Sequence, residues 1–329
     1  MIRRVMMAPL SPQCGYPLAF RGIWGAENVG EFDYLTRQRS GLSRGEVNGE
    51  FVHVVTQFKP DWLWTQLQET AVIAPEALWE VRRALPKTVV TTWTGDIRAE
   101  VPPLLSTICP AVHAVFISSI GHIPIYRAAG APVCEYLQIG LDWEEDVLGK
   151  PDWEPSFRIP DVVFLANFYG DSFPDGTGQR MHAVYTLKEA GIDIGVVGSG
   201  WPTFCNPVGA CHLKKSYHVY RHAKVALSVN HFNNIEGYWS DRHLMAMASG
   251  TPLVSKYIPG LEREFENGKD LFWFKSDSEM IAQVKELLGN EGLRREIGRN
   301  GRAKMIRGHS WYSRILGILP TIERIRETL

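Results

Sequence analysis

The run Leu227–Phe265, LSVNHFNNIEGYWSDRHLMAMASGTPLVSKYIPGLEREF, constrains the fold more than any other stretch. Ala226-Leu227-Ser228-Val229 reads as a short buried strand that stops at the polar cluster Asn230-His231-Phe232-Asn233-Asn234. Ser240 or Asp241 can cap a new helix, His243 to Ala248 fill it, and Gly250 supplies the left-handed residue that ends it. Pro252 forbids continuation, and Leu253-Val254-Ser255 forms the next strand. Pro259-Gly260 then turns into a second helix expected near Glu262. The run is one strand–helix–strand unit with a long polar loop above the first strand.

In open parallel sheets, ligands bind beyond the carboxyl ends of the strands, where amides at helix N-termini can hold phosphate. Arg242, in the first turn of the central helix, could add a forked donor to a pyrophosphate; the alternative is a solvated helix face. The small residues of Ala246-Met247-Ala248-Ser249-Gly250 let the helix sit close to its sheet.

The segment resembles the donor-binding core of GT-B glycosyltransferases, in particular the group with spore-maturation-protein-like (CgeB-like) C-terminal domains. That pattern runs N, a loop, R-x-x-E-A-x-A-x-G-x-P-L-V, then P-G-L-E-E-x-F. The chain matches it at Asn230, Arg242, Ala246, Ala248, Gly250, Pro252, Leu253, Val254, Pro259, Gly260, Leu261, Glu262 and Phe265. It departs at Met245, where the family glutamate usually takes the ribose hydroxyls and a thioether accepts far more weakly. Glu236 in the loop above is a candidate to compensate in part. The resemblance implies an α/β fold of two Rossmann-like domains with parallel sheets facing a central cleft, and a C-terminal helix crossing back to the first domain.

At 329 residues, two domains of roughly 150 residues each are expected. The assignment is 1–150 for an acceptor-binding domain, 151–309 for a nucleotide-sugar-binding domain and 310–329 for the returning helix. A hydrophobic content of 45% with 22% charged residues is that of a soluble protein, and no apolar run is long enough to span a bilayer. The basic and apolar amino terminus is too short for a signal peptide and reads as a first strand, so a cytoplasmic location is the expectation. A formal charge of −1 gives no global field toward nucleic acid or membrane. Cys14, Cys109, Cys134, Cys205 and Cys211 lack a C-x-x-C pair, which argues against a disulfide framework and structural zinc, including one built from Cys205, Cys211 and His212.

Along the chain, Ile2–Ala8 is the expected first strand, followed by a loop carrying Ser11 and Gly15. Gly22 to Gly49 is irregular or helical, with Arg37, Arg39 and Arg44 as solvated surface or an acceptor-binding cluster. Pro75 to Arg83 is a helix and Thr88–Trp93 a strand ending in Thr94-Gly95-Asp96-Ile97-Arg98, which resembles the family's W-x-G-D element. Asp96 and Arg98 are either an ion pair or acceptor-side groups. Ala111 to Ser118 is a strand, and Ser119 is expected to cap a helix through Ala129. The joints Gly130-Ala131-Pro132, Gly191-Ile192 and Gly250-Thr251-Pro252 repeat helix, glycine, strand in both halves, hence two parallel sheets. Trp143 to Pro160 is the expected linker. Gly176, Gly178 and Arg180 precede a helix from Met181 to Ala190, and Gly198-Ser199-Gly200-Trp201 ends a strand in a glycine loop, matching the family's V-G-x-G-W rather than a dinucleotide fingerprint. Helices are expected at Tyr217–Ala223, Ser278–Leu288 and Gly292–Ile306, and a strand at Leu271–Phe274.

The resemblance implies transfer of a sugar from a nucleoside-diphosphate sugar, UDP- or GDP-linked, to an acceptor hydroxyl, with retention and without a bound metal or other cofactor. Arg242 and Arg180 are assigned to phosphate, and Asn230, His231 and the Gly198-Ser199-Gly200 loop to nucleotide or sugar. Glu236, Ser240, Asp241, Met245, Gly260 and Leu261 complete the donor side. Ser11, Gly15, Asp96 and Arg98 fall on the acceptor side, with Asp96 and Arg242 as the catalytic candidates. The acceptor is a glycan, a small molecule or, in an alternative reading, hydroxymethylated DNA held by Arg37, Arg39, Arg44, Arg82 and Arg83. A catalytically silent nucleotide-sugar-binding module is the other alternative, prompted by Met245.

Overall fold

Every strand among the described residues is short and paired in parallel, so successive strands of a sheet must be joined by crossovers. The computed structural model describes residues 1–10, 15–67, 72–141, 155–211 and 215–329. It divides into two units, Met1–Gly140 with Trp311–Leu329, and Leu141–Ser310. Ser11, Cys14, Asp142, His212 and residues 143–154 of the expected linker lie outside the described residues.

The first unit holds β1 (Val5–Ala8), β2 (Val29–Glu31), β3 (Trp62–Thr65), β4 (Val89–Thr94), β5 (Ala114–Ile117) and β6 (Cys134–Tyr136), in the order β2-β1-β3-β4-β5-β6. The stretch from Gly22 to Gly49 contains β2, the helix α1 end at Trp24, α2 (Tyr34–Arg39) and the start of α3 (Arg44–Phe58), with α1 beginning at Tyr16. A capping box opens α3: the Ser43 hydroxyl accepts from the Glu46 amide and Glu46 accepts from the Ser43 amide. Lys59, in the left-handed region at φ 52°, ends that helix. Asp61 then accepts from the amides of Arg3 (2.7 Å) and Arg4 (3.0 Å) and from Arg326 Nη2 (2.5 Å), fastening the start of β1 to the last helix. Helices α4 (Pro75–Ala84), α5 (Pro103–Ile108) and α6 (Ile123–Ala128) complete the unit's crossovers. Ser119 does not cap α6. Its hydroxyl meets His122 Nδ1 at 3.0 Å, and the helix starts only at Ile123 because Pro124 can sit at a first turn but not deeper.

The second unit holds β7 (Val162–Leu165), β8 (Ile194–Val197), β9 (Pro207–Gly209), β10 (Val225–Ser228), β11 (Leu253–Lys256) and β12 (Phe272–Phe274), ordered β12-β11-β10-β7-β8-β9. Its helices are α7 (Pro174–Glu189), α8 (Ser216–His222), α9 (Asp241–Ala248), α10 (Asp277–Gly289) and α11 (Glu291–Gly308). Two expectations are corrected. Helix α7 begins at Pro174, so Gly176, Gly178 and Arg180 lie inside it; proline suits the first helical position, and Gly176 is needed because a Cβ there would stand 2.4 Å from the His231 Cα. The helix expected after Pro259-Gly260 is only the single 3₁₀ turn Leu261–Arg263, entered from Gly260 at φ 85°. Strand β9 was not foreseen, since its residues Pro207-Val208-Gly209 carry no strand pattern.

The last helix, α12 (Trp311–Glu327), packs in the first unit: Trp311, Ile315, Ile318, Ile322 and Ile325 join Trp62, Trp64, Trp93 and Phe20 in one core. Trp311 meets Trp93 edge-on at 5.0 Å and Tyr16 at 5.3 Å. Trp311→Ala is expected to cost about 3–5 kcal/mol of stability, read as a lower denaturation midpoint in urea; a loss under about 1 kcal/mol would show the helix to be peripheral. A second expectation concerns acid. The Val90 amide donates to His113 Nδ1 at 2.9 Å, and burial, with the Arg82 charge, pushes that imidazole down to about 4. A depressed folded value means stability present above the ordinary 6.5 and lost as pH falls toward 4. Thermal midpoints measured across that window should fall less steeply in His113→Asn, which keeps an acceptor but does not titrate.

Candidate active site

Strand order fixes where each unit can bind a ligand. In the second unit the chain leaves β7 toward β8 on one side and reaches β10 on the other, so the crevice at their carboxyl ends is the topological switch point. Arg180, on the crossover after β7, and Asn230, His231 and Arg242, on the crossover after β10, meet there. Arg180 is 2% exposed; its Nε donates to the Val229 carbonyl at 2.9 Å and its Nη1 to His231 Nε2 at 2.5 Å. Its Nη2 has no partner among the described residues. Arg242 Nη2 donates to Asn230 Oδ1 at 3.3 Å, while its Nε is buried without a partner. Each guanidinium lies 5.9 Å from the Phe164 ring centroid.

Among the described residues neither arginine forms an ion pair. Burial, and then the charge of Arg242, push the Arg180 guanidinium down to about 8, against smaller opposing pulls from Tyr238, Tyr169 and Asp241. Such an arrangement is costly to the fold and is relieved by an anion.

The first turn of α9 adds to the seat. Ser240 occupies the N-cap position, yet its hydroxyl makes no cap bond and is buried without a partner; Asp241 follows in the first turn. Tyr220, on α8, has a buried hydroxyl without a partner whose ionisation burial raises and Arg242 lowers. Nothing in its sequence context marks Tyr220. The neighbouring His243 is fully buried, bonded through Nε2 to Ser255 Oγ at 2.9 Å, and held down to about 3 first by burial and then by Arg242, so it stays neutral beside the arginine.

The loop from Asn230 is internally braced: Asn233 Oδ1 accepts from the Asn230 amide (2.9 Å), and Asn233 Nδ2 donates to the Asn230 carbonyl (2.8 Å) and to Gln179 Oε1 (3.0 Å). His231 stacks on Phe173 at 4.3 Å and lies 5.6 Å from Tyr169, so three rings stand beside Arg180. Glu236 pairs with Arg263 and its Cγ would lie 3.3 Å from a Cβ at Gly260, which brings Glu236, Gly260 and the buried Leu261 into one neighbourhood. Met245 is buried within α9. Gly198, Ser199 and Gly200 lie on the β8 side of β7, where the Ser199 amide and hydroxyl both donate to Asn167 Oδ1 (3.1 and 3.2 Å). A Cβ at Gly198 would fall 2.0 Å from the Ala166 carbonyl oxygen. A pocket of about 200 Å³ opens at the same sheet edge, lined by Gln179, His182, Val229, Lys256, Phe274 and Asp277.

In the first unit the order β2-β1-β3 puts the switch point between β1 and β3. Gly15 precedes α1 there, and Tyr16 donates to the buried Gln66 Oε1 at 2.9 Å, while Tyr34 donates to the Gln66 carbonyl at 2.6 Å. Gln66 was not singled out from sequence. Asp96 is exposed on a loop whose carbonyls are held in turn: Ser118 Oγ donates to Gly95 (2.7 Å), Thr94 Oγ1 to Asp96 (3.1 Å), and His122 bonds the Arg98 backbone. Arg98 itself donates to the Ile97 carbonyl at 3.0 Å. Of the arginines considered for DNA, two are engaged locally: Arg37 with Glu50 (3.0 Å) and the Phe32 ring, and Arg82 with the Trp79 ring and the Pro110 carbonyl. Among the described residues no cluster of three His, Cys, Asp or Glu side chains is placed to hold a metal, and no helix is long and apolar enough to cross a membrane.

Comparison with known proteins bears on the whole arrangement. A search of curated proteins finds no significant match. Residues 180–319 match the family model described as "Glycosyl transferase-like". Among solved structures, a glycosyltransferase from Rickettsia africae superposes with a TM-score of 0.66 at 10% identity, over 98% of each chain. Anabaena Alr3699/HepE in complex with UDP-glucose gives 0.63 at 12%, over 98% of this chain and 100% of that one. The sucrose-phosphate synthase of Thermosynechococcus elongatus gives 0.60 at 12%, over 99% and 100%. At such identities the likeness shows fold alone. The chain therefore has the GT-B fold of two parallel six-stranded sheets, and its residues 180–319 are similar to the glycosyl transferase-like family.

Proposed function

We propose that this protein transfers a sugar from a nucleoside-diphosphate sugar, UDP- or GDP-linked, to an acceptor hydroxyl. The observation that carries the reading is the convergence of Arg180 and Arg242, without an ion-pair partner among the described residues, at the switch point of the second sheet. Glycosyl transfer breaks the bond between the anomeric carbon and the terminal phosphate, and the electron pair leaves with the diphosphate. Two pre-placed guanidiniums and the open first turn of α9 hold that charge at no cost in reorganisation. Structures of Anabaena HepE with UDP-glucose support the donor class.

Asn230 serves here to aim Arg242, and the Glu236–Gly260–Leu261 neighbourhood and the Gly198-Ser199-Gly200 loop are assigned to the rest of the donor. Asp96, presented on its pinned loop, is assigned to the acceptor hydroxyl, with Gly15 and Arg98 beside it in role. Retention of configuration, independence of a metal, and membership of the spore-maturation-protein-like group extend the same reading. The motif from Asn230 to Phe265 supports them.

Thermal-shift measurements with UDP, GDP and their sugars test the donor assignment. A ligand at about one hundred times its dissociation constant stabilises by roughly 2.7 kcal/mol, enough for a clear rise in midpoint. Arg242→Ala should abolish that rise and lower transfer by about 10²-fold or more. Arg180→Met should abolish it too, while leaving the ligand-free midpoint unchanged or higher, because a buried charge without a counter-ion has been removed. A panel in which every nucleotide fails, or an Arg180→Met variant that still responds in full, would sink the assignment.

A further inference from the structure

One imidazole stands against the buried arginine of the cationic seat. His231 Nε2 lies 2.5 Å from Arg180 Nη1. A guanidinium can only donate, so Nε2 accepts and the ring is neutral. The ring is kept in place by stacking on Phe173 at 4.3 Å, and the backbone by Gly176, where a Cβ would stand 2.4 Å from the His231 Cα. The groups that bear on this seat are Arg180 from α7, Arg242 and Asp241 from α9, and the phenols of Tyr169 and Tyr238.

Charge counting then separates donor from product. A nucleotide sugar carries one negative charge on each of its two phosphates, which two guanidiniums balance. The diphosphate released from it carries an additional charge of about −1 on the terminal phosphate, whose second ionisation lies near 6. The protonatable side chain already touching Arg180 is His231.

Resting on the donor reading above, we propose that His231 takes up a proton when a nucleoside diphosphate occupies the Arg180–Arg242 pair and not when the corresponding nucleotide sugar does. Empty or donor-loaded, the neutral ring accepts from Arg180 and positions it. Product-loaded, Nε2 takes a proton from solvent and gives up its bond from Arg180 Nη1, whose N–H turns to the diphosphate; the imidazolium supplies the third positive charge, so the enzyme grips its product more tightly as pH falls. His231 is thus a positioning residue before transfer and a counter-charge after it.

Proton linkage in calorimetry tests this on the full chain. UDP and UDP-glucose, with GDP and GDP-mannose alongside, are titrated in buffers of different ionisation enthalpy at about pH 7.5, where the free diphosphate is already ionised. The expected result is net uptake of about half a proton or more per diphosphate, about none per nucleotide sugar, and a diphosphate affinity that falls with rising pH. His231→Asn keeps an acceptor for Arg180 but cannot titrate, and should bind the diphosphate with no uptake. Equal uptake for the two ligands, or uptake that survives in His231→Asn, would overturn the proposal while leaving the donor assignment standing. Failure of every nucleotide to bind would overturn both. The comparison of the two ligands on the unaltered protein decides the matter even if the variant folds poorly.

Discussion

Two positive charges that repel one another, one of them almost wholly buried, organise this protein. Arg180 and Arg242 are brought together by different crossovers, and the bonds each makes to protein are to neutral acceptors: a carbonyl, an imidazole and an amide. Neutral acceptors orient a guanidinium without cancelling its charge. Burial and Arg242 keep His243 neutral, so it adds no third positive charge, and the Ser240 hydroxyl does not close the turn of α9. The seat is polarised toward an incoming anion because neither guanidinium has an ion-pair partner among the described residues and Asp241 offsets the charge only in part.

How the chain achieves this follows from strand order more than from any one motif. The order β12-β11-β10-β7-β8-β9 puts the loops after β7 and β10 side by side although they lie far apart in sequence. The small residues that let α7 and α9 approach their neighbours have specific partners: Gly176 against the His231 backbone, Gly298 against the Gly250 carbonyl. Arg302 Nη1 donates to the Ala248 carbonyl at 2.7 Å, which satisfies the end of α9 opposite the site. Thus the working helix is tied at its C-terminus and left unspent at its N-terminus.

Much of the architecture was legible in the sequence because helix, glycine and strand alternate with local chemistry that does not depend on tertiary context. The joint Ser249-Gly250-Thr251-Pro252 stops a helix wherever it is placed. Legibility failed where non-local contacts decide. Gly176 and Gly178 read as a loop, yet Pro174 starts a helix that tolerates them because close packing on the His231 loop excludes a side chain at the first. Ser119 reads as a cap, but its hydroxyl pairs with His122 Nδ1 and the helix starts only at Ile123. Arg180 and Arg242 were visible as candidates, whereas the contact of Arg180 with His231 and the seat of Gln66 between Tyr16 and Tyr34 join residues distant in the chain.

The separate origin of the two guanidiniums has a bearing on how the chain matures. Arg180 gains its Val229 and His231 partners only when β10 and the loop after it have joined β7, so both arginines are brought together by the same late pairing. Their mutual repulsion opposes that last closure. An anion bound at the pair would offset that repulsion and favour the finished second sheet over a nearly finished one.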